Sequence, residues 1–98
     1  MEEKLLKIIN HYGLGKQLKY FNSEVYELNE AIIKQVTQAI DFEDVYINDG
    51  NKEHITNEMA DVLVMLEQIR LHYGVTPQDI EKVMKYKVDR QLKRMEEG

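Results

Sequence analysis

Lys16-Gln-Leu-Lys-Tyr-Phe-Asn-Ser-Glu-Val-Tyr-Glu-Leu-Asn-Glu-Ala-Ile-Ile-Lys-Gln-Val-Thr-Gln-Ala39 decides the fold of this 98-residue chain. Leu18, Phe21, Val25, Leu28, Ile32, Val36 and Ala39 recur at steps of three and four, which draws one continuous apolar seam along a long helix. No stretch alternates apolar and polar residues over the length that a half-buried strand requires.

The same period extends outward on both sides. Before it, Glu3 to Tyr12 carries Leu5, Leu6, Ile8, Ile9 and Tyr12, and Gly13 follows as a C-terminal cap, so a short helix is expected there. After it, Asp41 to Gly50 ends in the turn formers Asn48, Asp49 and Gly50 and reads as a loop. Asn51 to Tyr73 repeats Ile55, Met59, Val62, Leu66, Ile69 and Tyr73, and Gly74 closes this third helix. Thr76-Pro77-Gln78-Asp79 places a hydroxyl N-cap, a proline at the first helical position and an acid at the third, and Ile80, Val83, Met84, Val88, Leu92 and Met95 mark the apolar side of a fourth. Residues 1–98 are therefore expected to form a single all-α domain, an antiparallel four-helix bundle of one short and three long helices.

A monomer of this size buries only about 60–65% of its unfolded surface. Ile33, Leu63 and Met65 add apolar positions beside the main seams, so a homo-oligomer, a homodimer or homotetramer, is expected. No apolar run approaches the length of about 18 residues needed for a membrane span, and Met1-Glu2-Glu3-Lys4 lacks the layout of a signal peptide. The expected location is cytoplasmic, with no membrane partner. The absence of cysteine removes disulfides, thiolate nucleophiles and cysteine-based metal sites. Net charge of −5 argues against nucleic-acid polymers as partners. The charge is also unevenly placed. Residues 22–61 carry ten acids and two bases, whereas residues 82–94 carry six bases and one acid. The first segment suits cations and the second suits phosphates.

Glu24 and Glu27 are three apart on the second helix, and Glu58 and Asp61 are three apart on the third, so each pair stacks on one helical face beside an apolar seam. Four converging carboxylates repel one another and resist desolvation, and a hard cation, Mg²⁺ or Mn²⁺, relieves both costs. An E-x-x-E pair alone usually means a solvated face. On the fourth helix Lys87, Arg90 and Arg94 fall within about 60° of one another at 100° per residue, a ridge suited to clamping a polyphosphate or to solvation and ion pairing. His11, His54 and His72 share neither a face nor a ligand spacing, and Ser23 has no evident base, so none is assigned chemistry. Tyr20, Phe21, Phe42 and Tyr46 are read as packing residues or loop anchors before base-stacking ones.

Glu24-Val-Tyr-Glu27-Leu28-Asn-Glu-Ala-Ile, with His54-Ile-Thr-Asn-Glu58-Met-Ala-Asp61-Val-Leu, resembles the E-x-x-E … E-x-x-D signature of the MazG-like all-α nucleoside triphosphate pyrophosphohydrolases. The resemblance continues through Tyr86-Lys-Val-Asp-Arg90-Gln-Leu-Lys-Arg94 and covers about Gln17 to Met95. Two features depart from that pattern: Ser23-Glu24 and Asn57-Glu58 stand where relatives often have acidic doublets, and the stretch between the acidic pairs, residues 28–57, is 30 residues long. The resemblance implies a Mg²⁺ site on Glu24, Glu27, Glu58 and Asp61, and cleavage of a nucleoside triphosphate between its α and β phosphates. It also implies a dimeric or tetrameric assembly. Lys87, Arg90 and Arg94 are then expected to hold the phosphates, with Lys19 or Lys16 standing for a lysine often found near Tyr20. Another pyrophosphate-linked substrate such as phosphoribosyl-ATP, or a non-catalytic helical module that binds metal or protein, is the alternative.

Overall fold

The computed structural model describes residues 1–38 and 49–98. They form four helices, α1 (Glu2–Tyr12), α2 (Leu14–Gln38), α3 (Asp49–His72) and α4 (Pro77–Glu97), and among the described residues there is no strand. Ala39 and most of the expected loop, with Phe42 and Tyr46, lie outside the described residues; Asp49 and Gly50 open α3 instead of closing that loop.

Gly13 alone separates α1 from α2. Its φ of 88° lies in the left-handed half that strains any residue with a Cβ, and its N–H closes α1 by donating to the Ile9 carbonyl at 2.8 Å. Gly74, at φ 68°, ends the turn after α3 in the same way, donating to the Leu71 carbonyl at 3.1 Å. Both glycines are the caps that the sequence indicates.

The first turn of α2 meets the last turns of α3, so the two helices run antiparallel, and α1 lies against both. Leu5 and Ile9 from α1, Ala31 from α2 and Met65 from α3 form the apolar core. The inward faces take in only part of the seams read from the sequence, of which Phe21, Val25 and Leu28 on α2 and Ile55, Val62 and Ile69 on α3 are half-buried. On α2, Gln17 and Ala31 are buried and Glu24 is half-buried, while Leu18 and Ile32 remain 41% and 40% exposed. On α3, Met65 and Gln68 are buried and Glu58 is half-buried, while Met59, Leu63 and Leu66 face outward. Each helix thus turns a partly polar face to its neighbour and leaves an apolar flank uncovered.

Gln17 Nε2 donates to Gln68 Oε1 at 2.8 Å across the α2–α3 interface. Gln17 Oε1 is buried without a hydrogen-bond partner, and Gln68 Nε2 has only the Met65 sulfur at 3.7 Å. An unpaired buried amide oxygen costs about 1–3 kcal/mol, so this pair is a weak source of stability.

Arg70 fixes the end of α3. Its guanidinium reaches Glu67 at 2.8 Å, Glu2 on α1 at 2.9 Å and the Val75 carbonyl in the α3–α4 turn at 2.6 Å, with its side chain only 8% exposed. The adjoining turn starts α4 with a complete capping box: Thr76 Oγ1 accepts from the Asp79 N–H, and the Asp79 carboxylate accepts from the Thr76 N–H, both at 3.1 Å. The Thr76 backbone N–H first, and then its hydroxyl, hold the Asp79 carboxyl below its ordinary range.

The four expected long and short helices are present, but α4 packs along none of the other three and contributes no buried residue. Val83, Met84, Leu92 and Met95 are each more than half exposed. The radius of gyration is 17.0 Å, against about 13 Å for a compact chain of this length. The packed body of one chain is therefore α1–α3, with α4 projecting from it. No described helix is long and apolar enough to cross a membrane.

Candidate metal centre

The antiparallel pairing of α2 and α3 sets the two acidic pairs opposite each other. One carboxylate oxygen from each of Glu24, Glu27 and Glu58 lies within 4.8 Å of the other two. Asp61 is outside that ligand-distance group, yet its charge acts on Glu24. Three of the four acids expected at a metal site thus converge directly, and the fourth is close enough to act through its field.

Burial and charge both weigh on Glu24. Its carboxyl is pushed above its ordinary value near 4.5, first by desolvation, then by the charges of Glu27 and Asp61. A hydrogen bond with Glu27, which needs a proton on one partner, and the charge of Glu58 push the same way. Glu24 Oε2 and Glu58 Oε2 are buried with no hydrogen-bond donor. Two carboxylate oxygens withdrawn from water, aligned with a third and free of any nearby histidine or cysteine ligand in the group, fit a hard cation. Glu27 and Asp61 are exposed and leave the cluster open on one side.

The raised value at Glu24 carries a sign. The folded chain holds this proton to higher pH than the unfolded chain does. The resulting stability is fully present below about pH 4.5 and disappears as pH rises through the raised native value. In chelator, wild type is expected to lose melting temperature relative to Glu24→Gln between about pH 4.5 and neutrality. Parallel curves for the two proteins, followed by calorimetry, would contradict the burial and crowding described for this carboxyl.

Lys19 lies on α2 with Gly15, Lys16, Tyr20 and Ser23, which together line an open groove of about 620 Å³ on the flank of that helix. Lys16 also lies over the Tyr12 ring at 5.2 Å. Tyr20 and Ser23 belong to this groove, and the sequence reading gave neither a site role. The signal available for them was the shared flank of Lys16, Tyr20, Ser23 and Glu27 at helical spacing.

Lys87, Arg90 and Arg94 are placed differently. All three are exposed on α4, where the Arg90 guanidinium stacks over Tyr86 at 5.7 Å, and no contact among the described residues joins them to the acidic cluster. Within one chain the structure keeps the basic ridge and the acids on separate bodies. His11 and His72 make edge contacts with Tyr12 and Tyr73, and His54 is exposed, so no histidine enters the cluster.

Compared with protein-family models, curated proteins and solved structures, the chain matches none of them.

Proposed function

We propose that this chain is a Mg²⁺-dependent nucleotide pyrophosphohydrolase that cleaves a nucleoside or deoxynucleoside triphosphate between its α and β phosphates. The observation that carries the reading is the convergence of Glu24, Glu27 and Glu58 from two antiparallel helices, with two of their oxygens buried and unpaired. Such a cluster is costly unless a cation compensates it.

Glu24, Glu27, Glu58 and Asp61 hold Mg²⁺, or Mn²⁺ in its place. When bound, such an ion would neutralise phosphate oxygens and lower the pKa of a water. One of the four carboxylates, standing off the ion, would take the proton of the attacking water as its oxygen bonds the α-phosphorus and the α–β bridging bond breaks, so that monophosphate and pyrophosphate leave. Lys19, in the groove that Ser23 also lines on α2, binds the nucleotide within the same chain.

The chain acts as a homo-oligomer. Leu18 and Ile32 on α2, Met59, Leu63 and Leu66 on α3, and the whole apolar side of α4 are exposed in one copy, more than an isolated small domain usually leaves uncovered. Lys87, Arg90 and Arg94 reach the phosphates from a neighbouring copy, since α4 carries them away from the acids of its own chain.

The deciding experiment is a screen of canonical and modified nucleoside triphosphates, with phosphoribosyl-ATP included, for pyrophosphate release in Mg²⁺. Binding without turnover on every nucleotide overturns the enzymatic reading. On the substrate found, Arg90→Ala is expected to raise KM about tenfold or more and to weaken inhibition by pyrophosphate, with Mg²⁺ affinity unchanged, because a clamp binds ground and transition states alike. A variant that loses Mg²⁺ yet binds nucleotide normally would show the ridge to be misassigned.

A further inference from the structure

We propose that the buried Gln17–Gln68 amide pair is a register pin, which holds the four carboxylates opposite one another against their own repulsion. The inference rests on the reading of Glu24, Glu27, Glu58 and Asp61 as one site and names two positioning residues outside it.

In an antiparallel helix pair, each step forward on one helix is matched by a step back on the other. Gln17 faces Gln68 through the 2.8 Å bond. Seven residues on from Gln17 is Glu24, and seven back from Gln68 is Asp61; ten on is Glu27, and ten back is Glu58. Both acidic pairs therefore sit at matched offsets from the amide pair, about 10 and 15 Å along the axes at 1.5 Å per residue. Seven residues are also nearly two full turns, so Gln17 and Glu24 share the inward face of α2.

That register is not the one the charges prefer. A slip of three residues that sets Glu24 opposite Glu58 leaves only that acid pair, and the opposite slip, which sets Glu27 against Asp61 and Glu30 against Glu58, moves Glu24 opposite Val64 and relieves its crowding. Among the described residues the buried apolar side chains of α2 and α3 are few, Ala31 and Met65, so apolar burial between these two helices sets the register only weakly. The amide pair opposes a slip from inside the α2–α3 interface, while the Arg70–Glu2 ion pair ties the end of α3 to α1 from outside. Gln17 and Gln68 are 4% and 1% exposed, and a slip would leave two buried amides facing aliphatic groups in place of one unpaired oxygen. Buried polar pairs of this type fix register at a cost in stability, and the unpartnered Gln17 Oε1 shows that cost here.

The test uses the absence of cysteine. Asn22→Cys and Asn57→Cys, both at exposed positions on α2 and α3, carry spin labels in the full chain, diluted with unlabelled chain so that distances within one molecule dominate. In the Gln17→Leu, Gln68→Leu background the helices are expected to stay folded. The label distance should gain a second population displaced by up to about 5 Å, and the Mn²⁺ dissociation constant should rise about tenfold or more, the scale on which residues behind a metal's ligands act. One sharp distance equal to that of the parent overturns the proposal, whatever the metal does. So does an unfolded double variant, because a pair whose role is register is dispensable for folding. If the parent itself shows no Mn²⁺ response, the metal site falls while the distance measurement still decides the pin.

Discussion

Glu27→Gln and Asp61→Asn are each expected to abolish stabilisation by Mg²⁺ and to lower pyrophosphate release at least about 100-fold, more than the loss of groups that merely support metal ligands. Both changes nearly preserve shape and remove one charge, Glu27 from the group whose oxygens lie within 4.8 Å and Asp61 from the field that acts on Glu24. The metal-free fold should consequently be as stable as wild type or more so. Mg²⁺ that binds the native state but not the unfolded one raises the melting temperature by mass action, by an amount that grows with the logarithm of its concentration. Thermal unfolding of the three proteins with and without Mg²⁺, beside turnover on the same samples, separates a metal centre from a solvated acidic face. Identical metal responses with activity retained would remove these residues from the site and with them the proposed chemistry.

The second large effect is expected at α4. Wild type should sediment well above the 11.6 kDa of one chain at micromolar concentration, and Met84→Glu with Leu92→Glu should convert it to monomer and silence turnover while the helix content stays. Each buried Leu or Met contributes about 1.5–3 kcal/mol to an interface, so two charges in their place weaken association by on the order of 10³-fold or more. Both side chains are exposed in one chain, 58% and 52%, so the substitutions cost that chain little. A wild-type monomer that remains folded and active on dilution would contradict the shared site.

The helices and their caps were legible in the sequence, because each rests on local spacing. Gly13, Gly74 and the Thr76–Asp79 box are all where the residue types indicate. Glu24, Glu27 and Glu58 were found by their offsets of three on two helices. What the seams did not reveal is which partner covers them. A row such as Leu18, Val25 and Ile32 states that one face avoids water, but not whether a neighbouring helix of the same chain or another molecule covers it. The chain uses the flank beside that row, with Gln17, Glu24 and Ala31, for its internal packing. Hydrophobic periodicity passes over such a face because polar residues there count against it. The same ambiguity hid the projection of α4, whose apolar side reads like any core helix. The position of Lys19 in a groove with Tyr20 and Ser23 depended on knowing which flank of α2 stays open.

The projecting helix also bears on how fast two copies meet. α4 does not wait for a partner to become a helix: Pro77 presets its first turn, Thr76 and Asp79 satisfy its opening amides, and Arg70 holds the preceding Val75 carbonyl. Coupled folding and binding would spend interaction energy on ordering the segment at the moment of contact. A rod already wound and anchored at its base avoids most of that loss, so its encounter is governed by diffusion and orientation instead of by helix nucleation. In the proposed assembly the basic stretch of residues 82–94 would also be drawn toward the acids of another copy, an attraction that weakens as salt is added.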